Sequence, residues 1–456
     1  MSKENLQAAG NVLIDELVLI NHELKEIDVS NFLVEINIYE DIYSNTIYGD
    51  VILADSVNIT NKYKIFGDEH LRVKVRTPTY KDAISKTFKV YSLTNKVTSD
   101  DREQVFVLHF TSIEAVKDST TRIGKAFEGT PSSIVQSIFA NYLKSPKDIV
   151  NGKGKGNPAL NIASQTKNKL KFVSPNWSPL KCINWLARRS VPATGKAPNF
   201  LFFETNKKFV YSSIEDLILS QRKANSVYQD YYYYKSNIDP SMNGAPIKQG
   251  DKDVVDRNYR TVTKILFKEP FNMLKATEEG YLASKLFTHD ITRKTYGALE
   301  YDHIAKYKDY QHLEDYEIVN KKMADKKQDK KPFYTKFARN PDSYTTFYPK
   351  SWNLFDNQPN NNVEQWLQPR HSLMLEMSNV KLNIEVPGRT DIEAGVVVKF
   401  NYPNIGSKPT AANASDLWDK YYTGLYLVSA IHHCITLQSH RMVLEIVKDS
   451  LGQKLE

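Results

Sequence analysis

Three neighbours near the C-terminus, His432, His433 and Cys434, carry the side chains best suited to binding a metal or moving a proton. They sit in an alternating apolar run, and successive residues of a strand point to opposite faces. Only His432 and Cys434 can therefore share an ion, and a tetrahedral zinc site needs two further ligands. The run reads as a packed strand rather than a metal centre. The GKGKG run Gly152–Gly156 lacks the Gly-Lys-Ser/Thr ending and the flanking strand and helix of a phosphate loop, and reads as a flexible loop. The adjacent carboxylates Glu278-Glu279 and Glu40-Asp41 diverge, whereas general acid–base chemistry needs convergent groups. Tyr231–Tyr234 put two rings on each face of an extended segment, which suits interface packing better than a base-stacking platform. The sequence has no Gly-x-Ser-x-Gly elbow and no His-Glu-x-x-His motif; a dispersed triad stays open. The expectation is no catalytic residue, no cofactor-binding residue and no metal ligand.

The elements that position these residues are mostly strands. Over the first 118 residues, Val12–Ile20, Asn31–Glu40, Gly49–Leu53, Leu71–Val75, Phe88–Val97 and Val105–Phe110 read as six strands with no helix among them. That pattern predicts a small antiparallel barrel or sandwich. Such a module leaves sheet edges open unless it closes or pairs with another chain. After Ser112 the pattern changes. Thr130-Pro131-Ser132-Ser133 predicts a capped helix to about Leu143, and Leu180–Arg189 a second one, with Trp177 and Trp185 in the core of an insert. A hairpin follows at Phe200–Glu204 and Lys208–Tyr211, then a helix over Ile214–Gln221. Strands resume at Tyr259–Phe267, with a helix over Asn272–Gly280 and a strand pair over Tyr281–Thr292 turning at His289-Asp290. Periodicity is lost between Tyr301 and Pro369, where Lys321–Lys331 is a solvated charge run. Val363–Met377 reads as helical with a break at Pro369. The chain closes on strands Val380–Val386 and Gly395–Phe400 and a hairpin within Gly424–Ser450.

At 456 residues the chain is too long for one core, and 41% hydrophobic with 25% charged residues is the balance of a globular protein. The 27 Tyr and 20 Phe favour strands and contact surfaces. The formal charge of +8 could serve nucleic acid or an acidic protein surface, but Lys and Arg are scattered, as on a solvated basic surface. Cys182 and Cys434 lie in apolar runs and read as buried thiols rather than a disulfide, which suits assembly in a reducing cytoplasm. The N-terminus lacks the basic, apolar and small-residue parts of a signal peptide, and no apolar run reaches the roughly 20 residues that span a bilayer.

One order of elements occurs twice. Gly67 precedes an apolar strand, then Phe88–Val97, a turn and Val105–Phe110; Gly395 precedes an apolar strand, then Gly424–Ile431, a turn and Arg441–Val447. Duplication and chance likeness between two hairpin modules both fit this pattern. Duplication would give two similar units per chain, and three chains would then present six in a ring.

The stretches Ile47–Ile59, Ile65–Val75, Arg122–Leu143, Trp177–Val191, Phe200–Thr205 and Phe271–Tyr296, with the closing GLYLVSAIHH hairpin, resemble the baseplate hub proteins of contractile-tailed bacteriophages. Relatives of that family include the hub part of type VI secretion spike proteins and phage tail protein D. The likeness lies in element order over most of the chain, Tyr301–Asn362 excepted. It implies an α+β, mostly β fold: two similar small antiparallel tube-type β-barrels, an α+β insert and a second, loop-rich insert. The first barrel would occupy 1–118, the insert 119–257, the second barrel 258–300 and 375–456, and the loop-rich insertion 301–374. It also implies a homotrimeric hub in the virion tail baseplate, assembled in the host cytoplasm. The partners would be the tail tube or a tube-initiator protein, a separate central spike protein and baseplate wedge proteins. Neither a membrane-spanning segment nor sequence-specific nucleic-acid binding is expected. Asn37, Glu40 and the loop Asp41–Thr46 are candidates for contacts on the ring surface. Two other functions stay open: a tail-associated cell-wall hydrolase, marked by convergent carboxylates in a cleft of Ser119–Asp256, and a nucleic-acid binder, marked by clustered Lys and Arg.

Overall fold

The computed structural model describes residues 9–78, 80, 82–100, 103–144, 159–223, 228–233, 257–268, 272–318, 339–350, 362–404 and 418–453. Alternating apolar residues over the first part build seven strands: β1 Leu13–Ile20, β2 Glu26–Asp28, β3 Leu33–Asp41, β4 Tyr48–Asp55, β5 His70–Arg76, β6 Ala83–Asp100 and β7 Glu103–Ser112. The middle carries β8 Ala126–Gly129, β9 Leu160–Ile162, β10 Leu170–Val173, β11 Phe200–Glu204 and β12 Phe209–Ser213. Its helices span Pro131–Ile138, Pro179–Arg188 and Ile214–Lys223. Then follow β13 Gln229–Tyr232, β14 Lys264–Phe267, β15 Ala283–Asp290, β16 Thr295–Asp302, β17 Tyr316–Glu317 and β18 Thr345–Pro349. After the helix Val363–Glu376 come β19 Val380–Pro387, β20 Val397–Asn401, β21 Gly424–Ile435, β22 His440–Lys448 and β23 Ser450–Leu451.

The sheet topology repeats. A thirteen-stranded sheet runs β14-β19-β22-β21-β3-β4-β7-β6-β5-β1-β2, with β20 pairing β21 and β13 pairing β20. Its two halves list the same order: β3-β4-β7-β6-β5-β1 in one and β14-β19-β22-β21-β20-β13 in the other. Even the bulge recurs, between Val90 and Ser92 in β6 and between Val428 and Ala430 in β21. The glycine ahead of the second half's β20 and the one ahead of β5 both need the left-handed region, Gly67 at φ 99° and Gly395 at φ 88°. One pairing departs from the repeat: β1 meets β5 antiparallel, whereas β13 meets β20 in parallel.

Each half has its own core. Leu17, Val51, Val73, Phe88, Leu108 and Phe110 belong to one; Leu382, Ile384, Phe400, Tyr426, Ile431 and Leu444 belong to the other. The ends cross over: Ile435 of β21 packs in the first core, and Ile42, just after β3, packs in the second. A third core lies between the helices Pro131–Ile138 and Pro179–Arg188 and the hairpin β11–β12, around Ile183, Leu186, Phe200 and Tyr211.

Local readings and structure differ in several places. The first 118 residues hold seven strands rather than six, with helical turns at Ile59–Lys62 and from Ile113. The turn placed at His289-Asp290 falls after them, at residues 291–294, because β15 continues to Asp290 and Lys294 takes φ 53°. Tyr259 belongs to a helical turn, and the strand starts only at Lys264. The helix Val363–Glu376 does not break at Pro369. Proline removes one hydrogen bond, but Gln368 donates to the Ser284 carbonyl, Ser372 to that of Tyr281 and Arg370 to those of Pro198 and Phe200. These bonds anchor the helix on both sides of the proline. Gly152–Gly156, Lys321–Lys331 and Tyr234 lie outside the described residues.

Candidate functional site

The His432-His433-Cys434 run lies in β21, the strand that joins the two halves. Its N-terminal part pairs with β20 and its C-terminal part, Ala430–Ile435, with β3. His432 stacks on Tyr39 with centroids 4.4 Å apart and bonds Asn37 Oδ1 at 2.7 Å. Cys434 Sγ accepts from Arg441 at 3.5 Å. His433 turns to the other face, where its Nδ1 lies 3.0 Å from Nε2 of His440. Burial drives His433 well below its ordinary value and His440 down to about 3, so both rings are neutral. Their outer nitrogens, Nε2 of His433 and Nδ1 of His440, are buried without partners. The run thus splits between two packed faces and assembles no ligand set.

Asn37 and Glu40 are not on a ring surface either. Both are buried, because β3 is an internal strand of the joined sheet. Asn37 bonds Glu35 and Asp50. Glu40 accepts the backbone N–H of Asn206 and of Ala394, each at 3.2 Å, linking β3 to the β11–β12 turn and to the segment before β20. Burial pushes its carboxyl up to about 8. Beside it Glu204 accepts from Ile47 N–H at 2.9 Å and Ser112 Oγ at 2.5 Å, and pairs with the buried Lys86. Burial, then the charge of Glu204, raises the neighbouring Glu114 to about 7. In the loop Asp41–Thr46, Asn45 and Asn184 exchange amide hydrogen bonds of 2.9 and 2.7 Å. The three cores therefore meet at buried polar groups, not at solvent.

A second buried network escaped the sequence reading. His303, His312, Glu376 and Asp449 come from the turn after β16, the segment before β17, the end of a helix and the residue after β22. His312 donates Nε2–H to the Tyr307 carbonyl at 3.0 Å and places Nδ1 3.1 Å from Asp449. Burial alone would lower His312; the Asp449 and Glu376 carboxylates outweigh it and raise the ring to about 9. Asp449 is held low, against burial, by His312, Ser450 and the Leu313 N–H. Ser372 spends its proton on the Tyr281 carbonyl at 2.7 Å, so its oxygen accepts from His303 Nδ1. His303 Nε2 then lies 3.1 Å from Glu376 Oε1. Ligand-type atoms of His312, Glu376 and Asp449 lie within 4.8 Å of one another. A divalent ion would find three donors there, but His312 and Asp449 are already spent on each other and on the backbone. The arrangement works as a proton-held clamp between the helix Val363–Glu376 and the chain's last strands. No short-range motif marks it.

On the third core, Trp177 and Trp185 are half-exposed rather than fully packed, and line an open cleft of about 510 Å³ with Lys181, Arg188 and Arg189. Its one carboxylate, Asp118, accepts the Leu180 N–H at 2.6 Å. The other carboxylates buried here, Glu204 and Glu215, are taken up by Lys86 and backbone N–H groups. Among the described residues no convergent carboxylate pair for glycoside cleavage lines this cleft.

Two equivalent six-strand sets joined through β21 and β3 make a distinctive frame, and it has solved counterparts. Its fold is similar to that of a solved tail protein. The tail protein of Neisseria meningitidis MC58 matches with a TM-score of 0.50 at 9% identity, over 97% of this chain and 96% of that one. A 43 kDa tail protein of prophage MuSo2 from Shewanella oneidensis matches with a TM-score of 0.47 at 8% identity, over 95% and 98%. An E. coli type VI secretion component, described as similar to the T4 tail proteins gp27 and gp5, matches at 0.39 and 7% identity, over 96% and 76%. No family model and no curated protein matches the sequence. The architecture is mostly β with antiparallel sheets, and among the described residues no helix is long and apolar enough to cross a membrane.

Proposed function

We propose that this chain is a structural virion protein, the homotrimeric central hub of a contractile phage tail baseplate. It would adapt the sixfold tail tube to a threefold spike and hold the spike until contraction. The division follows: one tube-like barrel from 1–118, a second from 258–300 and 375–456, an α+β insert at 119–257 and a further insertion at 301–374. Tube or tube-initiator protein, spike and wedge proteins are the partners, in the virion baseplate. Among the described residues no converging carboxylates line the cleft, so nothing there favours the alternative of a tail-associated hydrolase.

The observation that carries the reading is the β21–β3 junction. It joins one six-strand set to the next heterologously, through a strand flank and a terminal strand. The same two features are left over at the ends. β6 pairs with β5 as far as Lys89 and bonds Glu69 through Val90, and among the described residues no strand pairs beyond that on this flank of β6 or on the outer edge of β14. These edges expose Tyr91 (57%), Val97 (59%), Leu266 (53%) and Phe267 (44%). Repeating the junction between chains makes a head-to-tail assembly that closes as a ring. Partner-strand positions set the register. Val97 opposite Val105 stands where Cys434 stands opposite Arg441, and Leu266 opposite Asn383 stands where Asn37 stands opposite Asp50. Cys434 pairs with Asn37, so Val97 of one subunit meets Leu266 of the next.

Light scattering should give three times the 52.3 kDa subunit mass, and imaging a central channel. Val97→Cys with Leu266→Cys should form covalent trimers on oxidation, and neither single variant should. A channel-free monomer, even with tube protein present, would sink the hub; a trimer without this crosslink would sink only the register.

A further inference from the structure

The cleft on the helix Pro179–Arg188 is lined by spare donors. Lys181, Arg188 and Arg189 have no carboxylate partner among the described residues. Arg189 lies over the Trp185 ring at 4.1 Å and donates Nη1 to the Trp185 carbonyl at 3.3 Å; its Nε is buried and unpartnered. The indole N–H groups of Trp177 and Trp185 make no hydrogen bond among the described residues. Acceptors, by contrast, are committed. Asp118 caps the helix at Leu180, and the Asn45 and Asn184 amides satisfy each other. Arg370, on the neighbouring helix Val363–Glu376, is partly buried and donates to the carbonyls of Pro198 and Phe200, with no ion pair among the described residues. Burial, and then the charge of Arg188, lower it to about 10. The locality therefore carries uncompensated positive charge.

We infer that this cleft docks an acidic peptide segment of a partner protein, its carboxylates on Lys181 and Arg188 and an apolar side chain against Trp177. The chemistry favours this occupant. A donor-rich wall with no free carboxylate accepts anions and rejects cations. Trp185 contacts both Arg189 and Phe172, the latter with its ring centroid 4.6 Å away; a held Trp–Arg pair is typical of interface anchors. The helix N-terminus is already capped, so the anion contacts fall on side chains rather than on a phosphate-type nest. A nucleic-acid strand needs cations that track a backbone, and these are gathered in one cleft of about 510 Å³, a usual volume for a ligand cleft, roughly 300–1,000 Å³. The inference stands whether or not the chain forms a ring.

The test is fluorescence anisotropy on the full chain with a labelled (Glu-Leu)4 octapeptide, a (Lys-Leu)4 octapeptide and a dT12 oligonucleotide. The acidic peptide should bind saturably and weaken with salt, and the basic one should not bind. Lys181→Glu with Arg188→Glu should weaken binding at least tenfold with an unchanged melting temperature. Trp177→Ala should weaken it too without altering the salt slope, since no charge is removed. No saturable binding, binding indifferent to the double reversal, or tighter binding of dT12 through the same two residues would overturn the inference. If the double reversal unfolds the chain, Lys181→Gln with Arg188→Gln decides by the same criteria.

Discussion

His312 and His440 set opposite ends of the pH range in which the chain is most stable. The His312 ring is raised from 6.5 to about 9. In the folded chain it holds a proton that the unfolded chain releases, so its contribution is complete below 6.5 and is lost as pH rises through 9. That rise corresponds to about 3 kcal/mol. Glu40, raised to about 8 by burial, acts in the same direction: its contribution is complete below 4.5 and gone above 8. His440, lowered to about 3, does the reverse, contributing above 6.5 and losing that contribution as pH falls toward 3. Melting temperature should therefore fall between pH 7 and pH 9.5, and His312→Gln should flatten much of that fall while lowering stability at pH 6.5. Melts of both proteins across this range check it; an unchanged slope in the variant would rule out the clamp as its origin. Little of this was legible from residue spacing. The adjacent histidines looked chemical, yet His433 found its partner seven residues on, across the hairpin. His312 and Asp449 are 137 residues apart and lie in no motif. A lone polar residue carries no periodic signal, and only chain folding brings such residues together.

Strands were far more legible than loops. β1, β3, β5, β7 and β22 follow alternation that side-chain burial imposes directly on sequence. The helix Pro131–Ile138 begins where Thr130 accepts from the Ser133 N–H, as its capping residues predict. Elements held by distant contacts were read less well: the helix runs through Pro369 while three of its own side chains, Gln368, Arg370 and Ser372, anchor it to distant carbonyls. Close approach also fixes residue choice. At Gly49 in β4 an added Cβ would lie 2.1 Å from the Asn37 carbonyl oxygen and 2.6 Å from the Phe110 ring. Gly49→Ala should therefore part β4 from β3 and cost about 1–3 kcal/mol, measured by urea unfolding. A neutral result would show that β3 shifts freely, against its place at the junction.

At the scale of the whole molecule, the exposed edges matter more than the cores. An open strand edge bearing Leu266 and Phe267 invites pairing. For the proposed ring, Leu266→Lys should leave the melting temperature of the subunit intact while shifting the mass from trimer to single chain, read by light scattering. A stable trimer in that variant would place the subunit contact elsewhere. The amino-acid sequence by itself determined the strand-rich class, most strand positions, the capped helix and the recurring order of glycine, strand and hairpin, because each of these is written in residues close together along the chain. Tertiary structure alone decided that the two halves share six strands in one order, that β21 leaves β20 to pair with β3, that Glu40 is buried, and that His312 meets Asp449. Those outcomes depend on which distant surfaces exclude water from each other, and spacing along a chain does not encode that.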